Sequence, residues 1–292
     1  MSRDGKDLTG GPQSRTGGDA VFSSTYGRLA INRAGSTLAE SRSVQVSPLV
    51  SEAPVAADTA ARNPDVLPEF VKQFSWIVPA NDLGRWSNSW EDIELPEALQ
   101  EATAKRQLHF RAGRYCALRA LEALEGRPVT TVLAQTAGGA PLWPEGVTGS
   151  ITHTDGFVSA AVARTSQVDA LGIDTERIMS VDRAARVSAA IAWPSEMAHM
   201  RAIGFDRLEA LTLVFSAKEA IFKCLYRKVG RIFDYRDVRI VAAVLHPGTF
   251  TARIVQTLSP DFPAQTLLHG RFEINSSWVH TGMVLSSGLL RA

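Results

Sequence analysis

Two carboxylates lie on one predicted strand at a spacing that suits a metal ion. Over residues 171–176 the two-residue period of a strand places Asp174 and Glu176 on one face, with Leu171 and Ile173 on the other. Carboxylate oxygens arranged in this way can share a Mg²⁺, which keeps several waters and takes further oxygens from substrate phosphates. A solvated strand face would show the same pattern, so this motif alone is weak evidence for a metal site.

A carboxylate and an ammonium lie one helical turn apart in residues 215–223. If this segment is helical, Glu219 and Lys223 share a face, and that pairing suits a metal-bound diphosphate. The alternative is a capping box, because Ser216 and Glu219 have its spacing and an exposed ion pair would add only about 0.3–0.5 kcal/mol.

Donor groups that could bind phosphate occur at two further places. Residues 149–153 put His153 beside the hydroxyls of Ser150 and Thr152, after a loop rich in Gly and Pro. A histidine satisfied within a turn is the alternative there. A basic stripe on a predicted helix could bind phosphate or form a solvated face, and its members are Lys105, Arg106, Arg111 and Arg114.

The elements that must position these groups form a mixed pattern of helices and strands. Apolar spacing predicts one long helix within residues 96–126, ended by Gly126, and a second over 207–226. We expect the second helix to break near Ser216 and to end at Gly230. Strands are predicted over residues 157–163, 171–173, 238–245, 250–255, 267–274 and 280–285. This order predicts an α+β protein of two comparable halves, without a repeat at a fixed period.

Composition excludes several classes of protein. The 292 residues carry 31 Lys and Arg against 30 Asp and Glu, so no broad basic surface for nucleic acid is expected. Apolar runs stay well below the roughly 18 residues of a membrane span. Cys116 and Cys224 lack the spacing of a zinc site or a disulfide scaffold, which indicates reduced thiols in the cytoplasm. Phosphate-loop, nucleophile-elbow and His-x-x-x-His motifs are missing from the sequence.

The first 64 residues differ from the rest of the chain. Phe22 and Tyr26 are their only aromatic residues, and Gly, Ser, Ala and Thr dominate. We therefore predict a disordered leader over residues 1–64, with a short docking segment around 21–31 as the alternative. Aromatic residues become frequent from Pro68 onward, where the folded part is expected to begin.

Taken together and in order, the motifs are far more specific than any one of them. They are Lys105-Arg106-Gln107, Ala112-Gly113-Arg114, Pro141-Leu142-Trp143-Pro144, Gly149-Ser150-Ile151-Thr152-His153, Gly172-Ile173-Asp174-Thr175-Glu176 and Phe215-Ser216-Ala217-Lys218-Glu219-Ala220-Ile221-Phe222-Lys223. The chain resembles the 4'-phosphopantetheinyl transferases over roughly residues 68–290, in particular the enterobactin-synthase component D type of the surfactin-type superfamily.

The resemblance implies a fold and a reaction. The fold is a monomeric α+β phosphopantetheinyl transferase fold, in which residues 65–165 and 166–292 form two similar α/β halves related by a pseudo-two-fold axis. Coenzyme A (CoA) and Mg²⁺ would bind in the cleft between them. The reaction moves the 4'-phosphopantetheine arm of CoA to a serine of an apo carrier protein and releases adenosine 3',5'-bisphosphate. The carriers would belong to non-ribosomal peptide or polyketide synthases, with siderophore assembly such as that of enterobactin as the nearest parallel.

The resemblance also implies roles for individual residues. Asp174, Glu176 and Glu219 would bind Mg²⁺, and Lys223 would contact the diphosphate of CoA. Glu219 is also the first choice for the base that takes the proton of the serine hydroxyl. CoA, through its 3'-phosphate above all, would be bound by Arg106, Arg114 and His153, with Ser150 nearby.

Three positions depart from the family pattern. Thr152 stands where serine is frequent, which keeps the hydroxyl. His109 stands where a glutamate is expected, and Arg111 has no counterpart, so the roles of these two residues stay open.

Two other functions remain open at this point. A Mg²⁺-dependent phosphodiesterase or nuclease could use the same carboxylates with water in place of the serine. A carrier-protein binding module without catalytic activity could keep the fold, although the intact set of carboxylates and Lys223 argues against it.

Overall fold

The computed structural model describes residues 61–78, 90, 93–130, 133–136 and 139–286. The predicted leader therefore lies outside the described residues except for its last four positions. Val66 and Leu67 are already buried against residues of β-strands further along the chain. Within the described residues, packing thus extends to positions before Pro68, because the two apolar side chains of Val66 and Leu67 precede the aromatic cluster.

The first sheet and its helices comprise, in chain order, β1 (Lys72–Ile77), α1 (Glu97–Gln100), α2 (Ala104–Glu125), β2 (Val147–Thr154) and β3 (Phe157–Arg164). The three strands are antiparallel and lie in the order β1-β3-β2. Helix α2 packs on this sheet through an aromatic core, in which the rings of Trp76 and Tyr115 have centroids 4.9 Å apart.

The second sheet and its helices comprise β4 (Val168–Arg177), α3 (Val181–Ile191), α4 (Pro194–Ala202), α5 (Arg207–Val229), a 3-10 turn (Tyr235–Asp237), β5 (Val238–Val244), β6 (Thr249–Ile254), β7 (Leu267–Ile274) and β8 (Trp278–Ser286). The five strands are antiparallel and lie in the order β4-β8-β7-β6-β5. Helix α5 packs on β4 and β8 and forms the centre of the larger core. The prediction of an α+β fold is confirmed.

The predicted break in the second helix is wrong. Helix α5 runs without interruption through Ser216, which is fully buried and whose hydroxyl lies 2.9 Å from that of Thr281 on β8. A partner on the sheet satisfies this hydroxyl, so Ser216 does not cap a helix and the capping-box alternative is wrong. Gly126 and Gly230 end α2 and α5 in the left-handed conformation, as predicted.

Several other boundaries differ from the sequence expectation. The segment 96–126 holds two helices, because Thr103 caps α2 by accepting a hydrogen bond from the N–H of Arg106. The predicted strands are confirmed, whereas β1, β2 and the helices α3 and α4 were not predicted. None of the helices that the structure describes has the length and apolarity needed to cross a membrane.

Candidate active site

Strands β2 and β4 run side by side in the same direction and are joined by hydroxyl groups. Ser150 Oγ accepts the N–H of Ile173 at 3.1 Å, and Thr152 Oγ1 accepts the N–H of Thr175 at 2.9 Å. Both hydroxyls are buried. The segment that carries His153 is therefore a strand that connects the two sheets, and the alternative of a histidine within a turn is wrong.

Thr152 also contacts the first acidic residue of the site. Its hydroxyl donates to Asp174 Oδ1 at 3.3 Å while it accepts the backbone N–H of Thr175. This double use of one oxygen explains why a hydroxyl is needed at position 152, whether serine or threonine supplies it.

Replacing this hydroxyl by a methyl group is expected to destabilise the protein. Thr152→Val would leave the buried N–H of Thr175 without its acceptor, which costs about 1–3 kcal/mol. Thr152→Ser is the matched control and should stay within about 1 kcal/mol of wild type. Urea unfolding of the three proteins measures the difference, and equal stability of the Val variant would show that water replaces the hydroxyl.

Helix α5 lies unusually close to β4 at the site. A Cβ atom at Gly172 would lie 2.1 Å from the carbonyl oxygen of Ala220 and 2.7 Å from the backbone nitrogen of Cys224. Only glycine permits this approach. As a result Lys223 on α5 reaches β4, where its Nζ lies 2.7 Å from Asp174 Oδ1.

The three predicted metal ligands are all buried. Asp174, Glu176 and Glu219 are 3–5% exposed, so the alternative of a solvated strand face is wrong. Burial, followed by the negative charge of Asp174, raises the pKa of Glu176 to about 8 and that of Glu219 to about 7. Three buried carboxylates that repel one another form a site where a cation would be stabilising.

Two side chains that the sequence analysis did not single out hold these carboxylates. Arg183 on α3 donates to Glu176 Oε2 at 3.0 Å, and the Tyr235 hydroxyl donates to Glu219 Oε1. Neither residue lies in a motif or at a helical or strand spacing from the carboxylates, so the sequence offered no signal for them.

The donor set of this cluster fits a hard divalent cation. Asp174 Oδ2 is buried and has no hydrogen-bond partner among the described residues. Within the same part of the chain, no group of three or more His, Cys, Asp and Glu side chains is arranged to hold a metal ion by itself. Magnesium commonly uses only one or two carboxylates and completes its shell with water and phosphate oxygens, so the residues present suit it.

An open pocket adjoins these carboxylates through Lys223. Four of the five residues predicted to bind CoA line it, namely Arg114, Ser150, His153 and Lys223. Arg106, the fifth, is exposed in the first turn of α2 and is not part of this lining in the described residues.

The histidines of the pocket lie side by side. The rings of His109 and His153 have centroids 4.7 Å apart, and both residues line the pocket. Burial, followed by the effects of His109 and Lys223, lowers the pKa of His153 to about 3. His153 is therefore a neutral hydrogen-bonding group near neutral pH. His109, whose role the sequence left open, belongs to the pocket.

The basic residues of α2 differ in burial and in the groups that they contact. Arg114 is buried, with its guanidinium 4.6 Å from the ring centroid of Phe110. Arg111 Nε donates to the carbonyl of Ile93 at 3.0 Å, and Lys105 forms an ion pair with Asp155. The alternative of one solvated face is wrong, because Arg114 is buried and the basic side chains reach different neighbours. Phosphate binding by Arg106 and Arg114 stays a prediction.

Known protein families and individual relatives match most of the described part of this chain. A family model described as the 4'-phosphopantetheinyl transferase N-terminal domain matches residues 95–163, and one of the 4'-phosphopantetheinyl transferase superfamily matches residues 170–276. The chain is 38% identical to the 4'-phosphopantetheinyl transferase Svp of Streptomyces mobaraensis over 186 residues, which are 62% of this chain and 74% of that protein. The chain belongs to the 4'-phosphopantetheinyl transferase superfamily. It is therefore an enzyme that transfers the phosphopantetheinyl group, and the family assignment made from the motifs is confirmed.

Other relatives belong to the same superfamily. The chain is 34% identical to the 4'-phosphopantetheinyl transferase PptT of Mycobacterium tuberculosis over 205 residues, which are 65% of this chain and 86% of that protein. It is 38% identical to enterobactin synthase component D of Escherichia coli over 127 residues, which are 43% of this chain and 57% of that protein. The match therefore extends over more of the two transferases than of the enterobactin synthase component.

Proposed function

We propose that this enzyme transfers the 4'-phosphopantetheine arm of CoA to a serine of an apo carrier protein. The observation that carries the proposal is the position of Lys223, which lines the open pocket and whose Nζ lies 2.7 Å from Asp174 Oδ1. A diphosphate at Lys223 would lie between this open pocket and the buried carboxylates. Lys223 would thus contact bound CoA at its diphosphate, which is the group that reacts, next to the carboxylates.

We infer that CoA occupies the pocket beside α2 and β2. Arg114 and His153 supply donors for its phosphates, and Ser150 lies beside them. Arg106, in the first turn of α2, lies near enough for its charge to act on His153. The guanidinium of Arg114 can form charge-assisted hydrogen bonds, which are stronger than neutral ones.

The enzyme is expected to bind CoA more tightly than 3'-dephospho-CoA. Loss of charge-assisted hydrogen bonds to one phosphate should weaken binding by about 10- to 100-fold. Arg114→Met should remove most of this preference, whereas Arg119→Met should keep it, because Arg119 is exposed on the same helix and pairs with Glu122. Titration calorimetry with both compounds measures the preference, and equal affinities in wild type would mean that these residues bind another part of CoA.

We propose Asp174, Glu176 and Glu219 as the residues that hold Mg²⁺. Their support is the buried Asp174 Oδ2 without a hydrogen-bond partner among the described residues, together with the mutual repulsion of the three carboxylates. When bound, magnesium would offset negative charge on the diphosphate of CoA.

The proton of the attacking serine would pass to Glu219. In the protein without metal, burial raises the pKa of Glu219 to about 7, which favours proton uptake by this carboxylate. The hydroxyl of Tyr235 donates to the carboxylate and holds it in place. A bond forms between the serine oxygen and the phosphorus next to pantetheine, and the bond from that phosphorus to the oxygen of the leaving adenosine 3',5'-bisphosphate breaks. Lys223 would stabilise the charge that develops on the leaving phosphate.

Mass spectrometry tests the proposal directly. Apo carrier protein incubated with the enzyme, CoA and Mg²⁺ should gain the mass of one phosphopantetheine, and a carrier whose modified serine is replaced by alanine should not. Hydrolysis of CoA without any carrier present would instead favour the phosphodiesterase alternative.

We further propose a cellular setting for the enzyme. The relatives named enterobactin synthase component D support carriers of siderophore assembly or of other non-ribosomal peptide and polyketide synthases. Two free, buried cysteines are consistent with action in the cytoplasm. We expect a monomer with halves at residues 65–165 and 166–292.

A further inference from the structure

Arg183 is the cation that reaches into the acidic cluster from outside the two sheets. It lies in the first turn of α3, where Ser180 Oγ accepts its backbone N–H at 3.3 Å. Its guanidinium donates to Glu176 Oε2 at 3.0 Å and lies 5.4 Å from the ring centroid of Phe215. The Arg183 side chain is 37% exposed, while that of Glu176 is only 6% exposed.

The charges of the cluster are partly balanced by the protein itself. Asp174 pairs with Lys223, whose side chain is 2% exposed and lies within the core of the site. Glu176 pairs with Arg183, and the charge of Arg183 also acts on Glu219, lowering the pKa of both glutamates against the effect of burial. Of these two cations, Arg183 has by far the more exposed side chain.

We propose that Arg183 is a counter-cation for Glu176 that stabilises the metal-free enzyme and competes with Mg²⁺ for this carboxylate. The inference rests on the proposed metal site. Two cations that share one buried carboxylate weaken each other's binding, and the effect is reciprocal. Arg183 therefore stabilises the carboxylate cluster when no metal is bound. It also lowers the affinity of the cluster for Mg²⁺ until CoA supplies phosphate oxygens.

The competing interpretation predicts the opposite sign. If Arg183 served only to orient Glu176 as a ligand, its loss would weaken metal binding by about 10- to 100-fold, as is found for outer-shell partners of metal ligands. If Arg183 competes with the metal, its loss tightens metal binding. The direction of the change in metal affinity thus separates the two roles.

The experiment titrates MgCl₂ alone into the full-length protein and needs neither CoA nor carrier. Arg183→Met is expected to lower the Kd for Mg²⁺ by about tenfold, to lower the melting temperature without metal, and to enlarge the rise in melting temperature that Mg²⁺ causes. Arg183→Gln, which also removes the charge but keeps a polar head, should change the Kd in the same direction. Arg186→Met is the matched control, because Arg186 is exposed one turn further along α3, and it should behave as wild type.

Each outcome decides between the proposals. An Mg²⁺ affinity that is unchanged or weaker in both Arg183 variants, with wild type binding the metal, would overturn the role of Arg183 and leave the metal site standing. Wild type that shows neither heat of binding nor a shift in melting temperature with Mg²⁺ would overturn the metal site and the competition together. Tighter binding in both variants and not in Arg186→Met supports the inference.

Discussion

Asp174→Asn is expected to abolish phosphopantetheinyl transfer, with a loss of at least about 100-fold in kcat/KM. The substitution removes the negative charge that pairs with Lys223 and the oxygen, Oδ2, that is buried without a hydrogen-bond partner among the described residues. The amide oxygen of asparagine can still accept the hydrogen bond from Lys223 Nζ, so the local packing is kept. Alanine is a poorer choice, because a buried ammonium deprived of its partner costs about 3–5 kcal/mol.

The measurement is carrier modification under saturating CoA, followed over time by mass spectrometry. Asp169→Asn is the control, since Asp169 lies on the same strand β4 and is only partly buried. Circular dichroism and urea unfolding establish that both variants fold. Near-normal turnover by a folded Asp174→Asn protein would refute the role of Asp174 in the metal site.

Glu219→Gln is expected to lose at least about 100-fold in transfer rate and, without metal, to unfold at a higher temperature than wild type. The rate falls because the amide cannot take the proton of the serine and is a poor magnesium ligand. Stability rises, by about 1 kcal/mol, because the substitution removes a buried charge that burial and Asp174 both disfavour. Gln can still accept the hydrogen bond that Tyr235 donates to Glu219.

Two measurements on the same variant therefore change in opposite directions. Thermal unfolding in the presence of a chelator gives the stability, and carrier modification gives the rate. Glu209→Gln in the first turn of α5 is the control: its rate should match that of wild type, and its stability should be equal or slightly lower, because a negative charge is lost from the helix N-terminus. A Glu219→Gln protein that is inactive and also less stable would indicate that the carboxylate serves the packing of α5 instead of the reaction.

The local arrangement of the reacting groups could be predicted from the sequence. The period of two along β4 places Asp174 and Glu176 on one face, and the helical period along α5 places Lys223 one turn after Glu219. Gly126 and Gly230 end their helices because only residues tolerant of the left-handed conformation fit there. These features depend on neighbours within a few residues, so they can be derived from spacing and residue type alone.

Strand β2 is not predicted from the sequence, because its polar residues are satisfied by a strand that is distant in the chain. Gly149, Ser150, Thr152 and His153 have the composition of a loop, yet the hydroxyls of Ser150 and Thr152 bond to backbone N–H groups of β4, 23 residues further along the chain. Ser216 was interpreted as a helix cap for a similar reason, since its actual partner is Thr281 on β8. Polar residues favour loops and caps only where no tertiary partner satisfies them.

The sequence by itself thus determined the family, the carboxylates and the helix and strand that carry them. Only the tertiary structure decided that Asp174 meets Lys223, 49 residues away, because Gly172 lets β4 lie directly against Ala220 and Cys224 of α5. It also decided that Arg183 and Tyr235 hold Glu176 and Glu219. These contacts arise from the packing of whole elements against one another. The free energy of that packing is distributed over many residues that lie far apart in the chain, so the contacts cannot be derived from local spacing.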